Sequence, residues 1–311
     1  MKRFNGINIA KLGPLLGLIL ITAVLGVMSE NFFTLNNLFN LLRQVSVNAL
    51  IAFGMTFVIL TAGIDLSVGS ILALGSALTA GMLVNGIDPL LAVLIGLFIG
   101  LVLGAVNGLI ITKGKVAPFI ATLATMTIFR GATLVYTDGK PITGLSDSFM
   151  FEMIGRGYVF GIPFPAILMI IVFAILFFVL RNTVFGRQVY AIGGNEEASI
   201  LSGIKAERVK IWVYSLTGML SVLAGIIITS RLDSAQPTAG TMYELDAIAA
   251  VVIGGTSLSG GKGRIVGTLI GALIIGVIDN GLNLLNVSSF YQQIVKGGVI
   301  LLAVLLDRNS K

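Results

Sequence analysis

The sequence offers few residues that could make or break a covalent bond. It contains no cysteine and no histidine. That excludes thiolate nucleophiles, disulfides, Cys-based metal sites and the usual near-neutral proton shuttle. One segment suggests a nucleotide: Gly255-Thr256-Ser257-Leu258-Ser259-Gly260-Gly261-Lys262-Gly263. A phosphate-binding loop needs G-x-x-x-x-G-K followed by Ser or Thr, with a strand before it. Here Thr256 stands where the first glycine belongs, Gly263 follows Lys262, and no strand pattern precedes. The segment reads as a turn, and the chain lacks a recognisable ATP site of its own. No nucleophile and base converge elsewhere, so an enzymatic reading has no residues behind it.

What remains is a handful of ionisable groups set among apolar runs: Asp65, Arg130, Glu244, Asp246, Asp279 and Lys296. Charges in such runs are costly and face the interior of a helix bundle. Asp65 follows Gly63 in a turn, where it can cap the next helix or ligate a solute. Glu244 and Asp246 open an apolar run, where the positive end of a helix dipole favours acids. Lys296 can pair with Asp279, because an unpaired buried charge is worse than a paired one. Asn48, Thr56, Asp65, Asn107, Thr122, Thr125, Asp246 and Asn280 are the candidates for a polar translocation path. Thr and Asn also join helices to one another, so a structural role stands beside the functional one.

The elements that position these groups must be membrane helices. The chain is 56% hydrophobic and 11% charged, with mean hydropathy +1.01, against roughly 25% charged residues in soluble domains. Lipid must cover much of it. Ten spans are predicted at about 12–29, 45–62, 67–85, 89–112, 117–136, 164–181, 208–230, 244–258, 264–283 and 290–306, since lipid-exposed backbone is satisfied only within helices or closed barrels. They make one all-α transmembrane domain over 1–311, with no stretch left for a soluble domain. Phe32–Arg43 has helical spacing with mixed polarity and is expected at the interface. The net charge of +6 is dispersed through the gaps between spans, not gathered into a nucleic-acid patch. With the N-terminus inside, Lys2, Arg3, Lys11, Lys113, Lys115, Arg181, Arg187, Lys205, Arg208, Lys210, Lys262, Arg264, Arg308 and Lys311 lie on the cytoplasmic side. Only Arg43, Lys140, Arg156 and Arg231 lie outside. This bias predicts N-in and C-in. Gly96, Gly100, Gly104 and Gly108 recur every four residues, and Gly267 and Gly271 repeat the spacing, a pattern for close helix approach. Two apolar runs broken by glycine turns, near Gly63 and near Gly260, suggest duplicated halves.

The longest cytoplasmic stretch, 182–207, contains its own small helix. Asn195 suits the N-cap, Glu196 and Glu197 the first turn, and Gly203 the C′ stop. Ala198, Ile200, Leu201 and Ser202 complete it. About two turns of helix are unstable in water alone, so a cytoplasmic partner is expected to dock there, with Ala198, Ile200 and Leu201 supplying apolar contact; the alternative is an interfacial helix resting on lipid.

Ile59-Leu60-Thr61-Ala62-Gly63-Ile64-Asp65-Leu66-Ser67-Val68-Gly69, Tyr190-Ala191-Ile192-Gly193-Gly194-Asn195 and Tyr243–Leu258 resemble the sugar-import ABC permeases. The likeness runs from Leu12 to Arg308 and includes Ser234–Gly240 and Asn283–Ser289. Ala62 stands where many family members carry glycine. The resemblance implies a multi-pass permease of the bacterial cytoplasmic membrane, moving a monosaccharide, D-ribose foremost, by alternating access. It implies a second permease copy as homodimer partner, an extracytoplasmic sugar-binding protein, and a cytoplasmic ATPase subunit that carries the ATP and Mg, with no cofactor on this chain. It makes Asn195–Gly203 the coupling helix. The rival reading is a secondary transporter or channel working alone.

Overall fold

The computed structural model describes residues 13–145 and 148–308; Lys2, Arg3, Lys11 and Lys311 lie outside them. The chain is almost wholly helical. The first half comprises α1 (Gly13–Met28), α2 (Leu35–Leu60), α3 (Val68–Val84), α4 (Pro89–Thr112) and α5 (Pro118–Thr137). An outer segment follows: β1 (Ile142–Thr143), α6 (Phe149–Arg156), β2 (Tyr158–Val159) and β3 (Ile162–Pro163). Then come α7 (Phe164–Asn182), α8 (Val184–Gly194), α9 (Glu196–Leu201), α10 (Ala206–Leu232), β4 (Ser234–Ala235), α11 (Tyr243–Ile253), α12 (Ile265–Leu284) and α13 (Ser289–Arg308). Among the described residues, six helices are long and apolar enough to cross a membrane: α2, α4, α5, α7, α10 and α12.

Two expectations change. Phe32–Arg43 is not a separate interfacial helix. Thr34 caps Leu35–Leu60 by accepting the Asn37 amide, and the helix runs on for 26 residues. One of its polar groups is tied to protein: the Asn37 side-chain amide donates to Asn280 at 2.9 Å and the Asn280 amide donates back at 2.8 Å. The eighth span, expected over 244–258, is the eleven-residue helix α11. At 1.5 Å per residue that is about 16 Å, half of the roughly 30 Å hydrocarbon core. An irregular stretch, 233–242, precedes it.

The bundle is built on α2 and α10. The predicted glycine row of α4 lies on α10: a Cβ on Gly100 would come within 2.6 Å of the Gly218 carbonyl, one on Gly108 within 2.6 Å of Ile211 Cα, and one on Gly104 would strike the Tyr214 carbonyl. Gly267 and Gly271 do the same for α12 against the Gly254 and Ala250 carbonyls of α11 and the turn after it. These glycines hold backbones at distances no side chain permits. β1 pairs antiparallel with β4, and β2 with β3, so 138–145 and 148–163 carry paired strands and a helix instead of a bare loop.

Candidate functional site

The short helix α9 forms as its capping residues dictate. Asn195 Oδ1 accepts the Ala198 amide at 2.9 Å. At the other end Ile204 N donates to Ser199 O at 3.0 Å and Gly203 N to Ile200 O at 2.9 Å. That is a Schellman motif, and Gly203 supplies the left-handed residue it needs, at φ +86°. Ser199 is buried, and Glu196 pairs with Lys210 of α10 at 2.6 Å, which fixes one face of α9 to the bundle. The other face is bare: Leu201 is 89% exposed and Ile200 53%, with Glu197 and Ala198 also exposed. A doubly capped helix thus presents two exposed apolar side chains, Ile200 and Leu201, on the side turned away from the bundle.

This helix is joined to the membrane bundle by backbone, through α8. The Gly261 amide donates to the Leu60 carbonyl at 3.0 Å, and a Cβ on Gly193 would collide with both of those groups. Tyr190 donates its hydroxyl to the Gly263 carbonyl at 3.0 Å; burial raises the pKa of this phenol, which keeps it a donor. The α2–α3 turn, the α11–α12 turn and the end of α8 thus meet at one point, directly before Asn195. The amides of Gly260 and Gly261 are spent on Ser257 O and Leu60 O, so the loop that faintly suggests a nucleotide site points these amides at its own protein.

Inside the bundle the N-termini of α3 and α11 meet. A Cβ on Gly240 would lie 2.7 Å from the Gly69 carbonyl. Arg130 of α5 closes the junction, donating Nη1 to Pro237 O at 2.6 Å and Ala239 O at 2.9 Å, and Nη2 to Gly69 O at 3.3 Å. Arg130 stands twelve residues beyond the start of α5, about 18 Å along it, so the junction lies near mid-depth of a membrane. Irregular backbone at that depth is tolerated only where protein or a water-filled cavity surrounds it. Facing N-termini of broken helices put positive dipole ends there. Sequence reading missed Arg130 as a clamp, because its partners are carbonyls far along the chain.

The predicted polar residues fall into separate groups. Asp65, Asn107, Thr122 and Thr125 gather where the chain enters α3. Asp65 Oδ1 accepts the Ser67 amide at 2.9 Å and its hydroxyl at 2.6 Å, and Asn107 Nδ2 donates to Ser67 Oγ at 2.7 Å. Asp65 thus braces the turn and not α3's own first amides. Thr122 and Tyr214 both donate to Ile64 O, each at 3.3 Å, and Thr125 donates to the Thr122 carbonyl. Asp65 Oδ2, Asn107 Oδ1 and Ser70 Oγ, all buried, have no hydrogen-bond partner among the described residues. Thr56 is bonded to Thr268 of α12 at 2.7 Å, Asn280 to Asn37, and Asn48 is buried on α2. Asp246 belongs to an ionic cluster. Lys296 of α13 reaches Asp246 of α11 at 2.9 Å and Asp279 of α12 at 3.0 Å, with the two carboxylates 4% and 6% exposed. The Lys296–Asp279 pair is as predicted; the third member ties the half-helix α11 to both following helices.

A bundle of long apolar helices packed around a helix too short to cross a bilayer is the architecture of a membrane transport permease. The chain belongs to the family described as branched-chain amino acid transport system / permease component, whose model matches residues 37–304. It is 67% identical to the ribose import permease protein of Bacillus subtilis (strain 168), over 99% of this chain and 95% of that protein. It is 57% identical to the ribose import permease protein of Escherichia coli (strain K12), over 96% and 93%, and 46% identical to the D-allose transport system permease protein of the same strain, over 96% and 91%. No solved structure matches. The protein is a multi-pass cell-membrane permease of an ABC transporter.

Proposed function

We propose that this chain is the membrane-spanning subunit of an ATP-driven importer that moves D-ribose into the cytoplasm by alternating access. The observation that carries the reading is the bare apolar face of α9, held on a rigid connection to the two turns beneath it. A cytoplasmic ATPase subunit docks there, bringing the ATP and Mg, and α9 with Asn195 and Gly203 as its caps is the coupling helix. The names of the relatives support ribose, and their length supports the same whole-chain role. A second copy of the permease and an extracytoplasmic sugar-binding protein complete the assembly, in contact with lipid. The orientation is N-in and C-in with ten crossings, the eighth made by 233–242 together with α11. The junction of α3 and α11, with Asp65, Asn107, Thr122 and Thr125 beside it, is placed on the sugar's path. The test is uptake of a monosaccharide panel in a strain deleted for this gene, with single cysteines at Gly194 and Lys262 to report sidedness. Loss of ribose uptake alone and cytoplasmic labelling are expected; unchanged ribose uptake, or external labelling at Gly194, would overturn the reading.

A further inference from the structure

Two clefts open at the end of the bundle that carries α8 and α9, and their charges differ. One, between α4, α9 and the start of α10, mixes the two signs: Glu207 pairs with Lys113 and Glu196 with Lys210, both at 2.6 Å, while Lys115, Lys205 and Arg208 form no ion pair among the described residues. The other, of about 1,090 Å³, lies between α1, the last turns of α7, α8 and the α11–α12 turn. Arg181, Arg187, Lys262 and Arg264 line it, no acidic residue does, and none of the four forms an ion pair among the described residues. All four are exposed. Four like charges turned into one cavity repel each other, and a structure keeps such a set when an anion offsets the repulsion.

The rest of the lining says which anion. Phe177 and Leu180 of α7, and Ile265, Val266 and Ile270 of α12, wall the cleft with hydrocarbon, and they belong to helices that span the bilayer. The Arg181 guanidinium stands over the Phe177 ring, 5.6 Å from its centroid, at the boundary between the two zones. A cavity that is cationic at one end, apolar at the other and placed where spans emerge from the membrane matches a phospholipid, headgroup and acyl chain together. We propose that this cleft is a binding site for an anionic phospholipid, its phosphate held by Arg181, Arg187, Lys262 and Arg264 and its acyl chain laid against α7 and α12. Because Tyr190 and Lys262 belong to the elements that meet Gly193, a bound lipid would brace the junction beneath α9. Lipid binding itself does not depend on the proposed sugar or on the proposed ATPase contact.

The test uses the full chain purified in a neutral detergent, with bound lipid counted by native mass spectrometry. The probes are phosphatidylglycerol, phosphatidylcholine with the same acyl chains, glycerophosphoglycerol as the soluble headgroup, and inorganic phosphate. Each cation near an anionic lipid is worth about fivefold in affinity. The variant R181Q/R187Q/K262Q/R264Q is therefore expected to weaken phosphatidylglycerol binding at least tenfold. A variant losing equal charge elsewhere on the same side, K113Q/K115Q/K205Q/R208Q, is expected to change it less than twofold. The charge-conserving R181K/R187K/R264K should keep binding and guards against a folding defect. Equal binding of phosphatidylcholine, equal loss in both neutralised variants, undiminished binding in the first, or binding of the soluble headgroup or phosphate as tight as the lipid would each overturn the proposal. Failure of any phosphatidylglycerol to bind would do so too, and would leave an acidic protein surface as the partner of the four cations.

Discussion

Replacing Leu201 by Asp separates docking from folding more cleanly than any other change in this chain. Leu201 lies 89% exposed on α9, and neither the Asn195 cap nor the Gly203 Schellman motif uses its side chain. The substitution should therefore alter the permease's own stability by no more than about 0.5 kcal/mol, as surface changes do. If the ATPase covers this leucine, its burial contributes about 1.5–3 kcal/mol to the contact. A carboxylate in its place adds the cost of an unpaired charge, several kcal/mol. With each 1.4 kcal/mol worth about tenfold, the affinity for the ATPase should fall at least a hundredfold. The assay is co-purification of the ATPase on tagged permease, alongside sugar uptake and the amount of permease in the membrane. Normal membrane level with loss of both the ATPase and uptake is the expected result. Uptake and co-purification both at the unsubstituted level would refute the assignment of α9 as the coupling helix.

Other variants probe the bundle. Lys296→Met leaves Asp246 and Asp279 buried without their cation, and breaking such a cluster costs about 3–5 kcal/mol; thermal unfolding in detergent should show a large loss, most of it recovered in D246N/D279N/K296M. No recovery in the triple variant would mean that the lysine's packing, not its charge, matters. Gly104→Ala places a methyl against the Tyr214 carbonyl and should cost about 1–3 kcal/mol by forcing α4 from α10; a neutral result would show that the row is looser than described. Ala62 occupies the left-handed region at φ +58°, which costs a non-glycine residue about 1 kcal/mol. Ala62→Gly relieves this against glycine's greater chain entropy, so a net gain of about 0.5 kcal/mol is expected in the same unfolding assay, and a loss would contradict it.

The legible part of this protein was local. Apolar runs gave nearly every helix, and capping chemistry alone placed α9, because Asn195, Glu196 and Gly203 act on amides and carbonyls within a few residues. The glycine rows announced close packing, and the structure supplies the partners, Tyr214, Gly218 and Ala250. Depth was not legible. Ala247–Ile253 is as apolar as a span, and nothing in it says that its helix is only eleven residues long and follows the irregular stretch 233–242. Asp65 was read as a cap from its place after Gly63, yet its partner, Ser67, braces the turn instead. Long-range convergence was hidden for the same reason. Arg130 finds carbonyls more than a hundred residues away, and Arg181, Arg187, Lys262 and Arg264 read as scattered topology markers until the fold gathers them into one cleft. The left-handed backbone at Ala62 is a conformation that favours glycine, the residue the family resemblance leads one to expect there.

The most direct test of the central claim is transport in vesicles containing only this permease, its ATPase subunit and the sugar-binding protein, with ATP on the ATPase side. The account predicts accumulation of ribose against its gradient that requires all three proteins and ATP hydrolysis. Uphill ribose movement by the permease alone, without ATP, would contradict it.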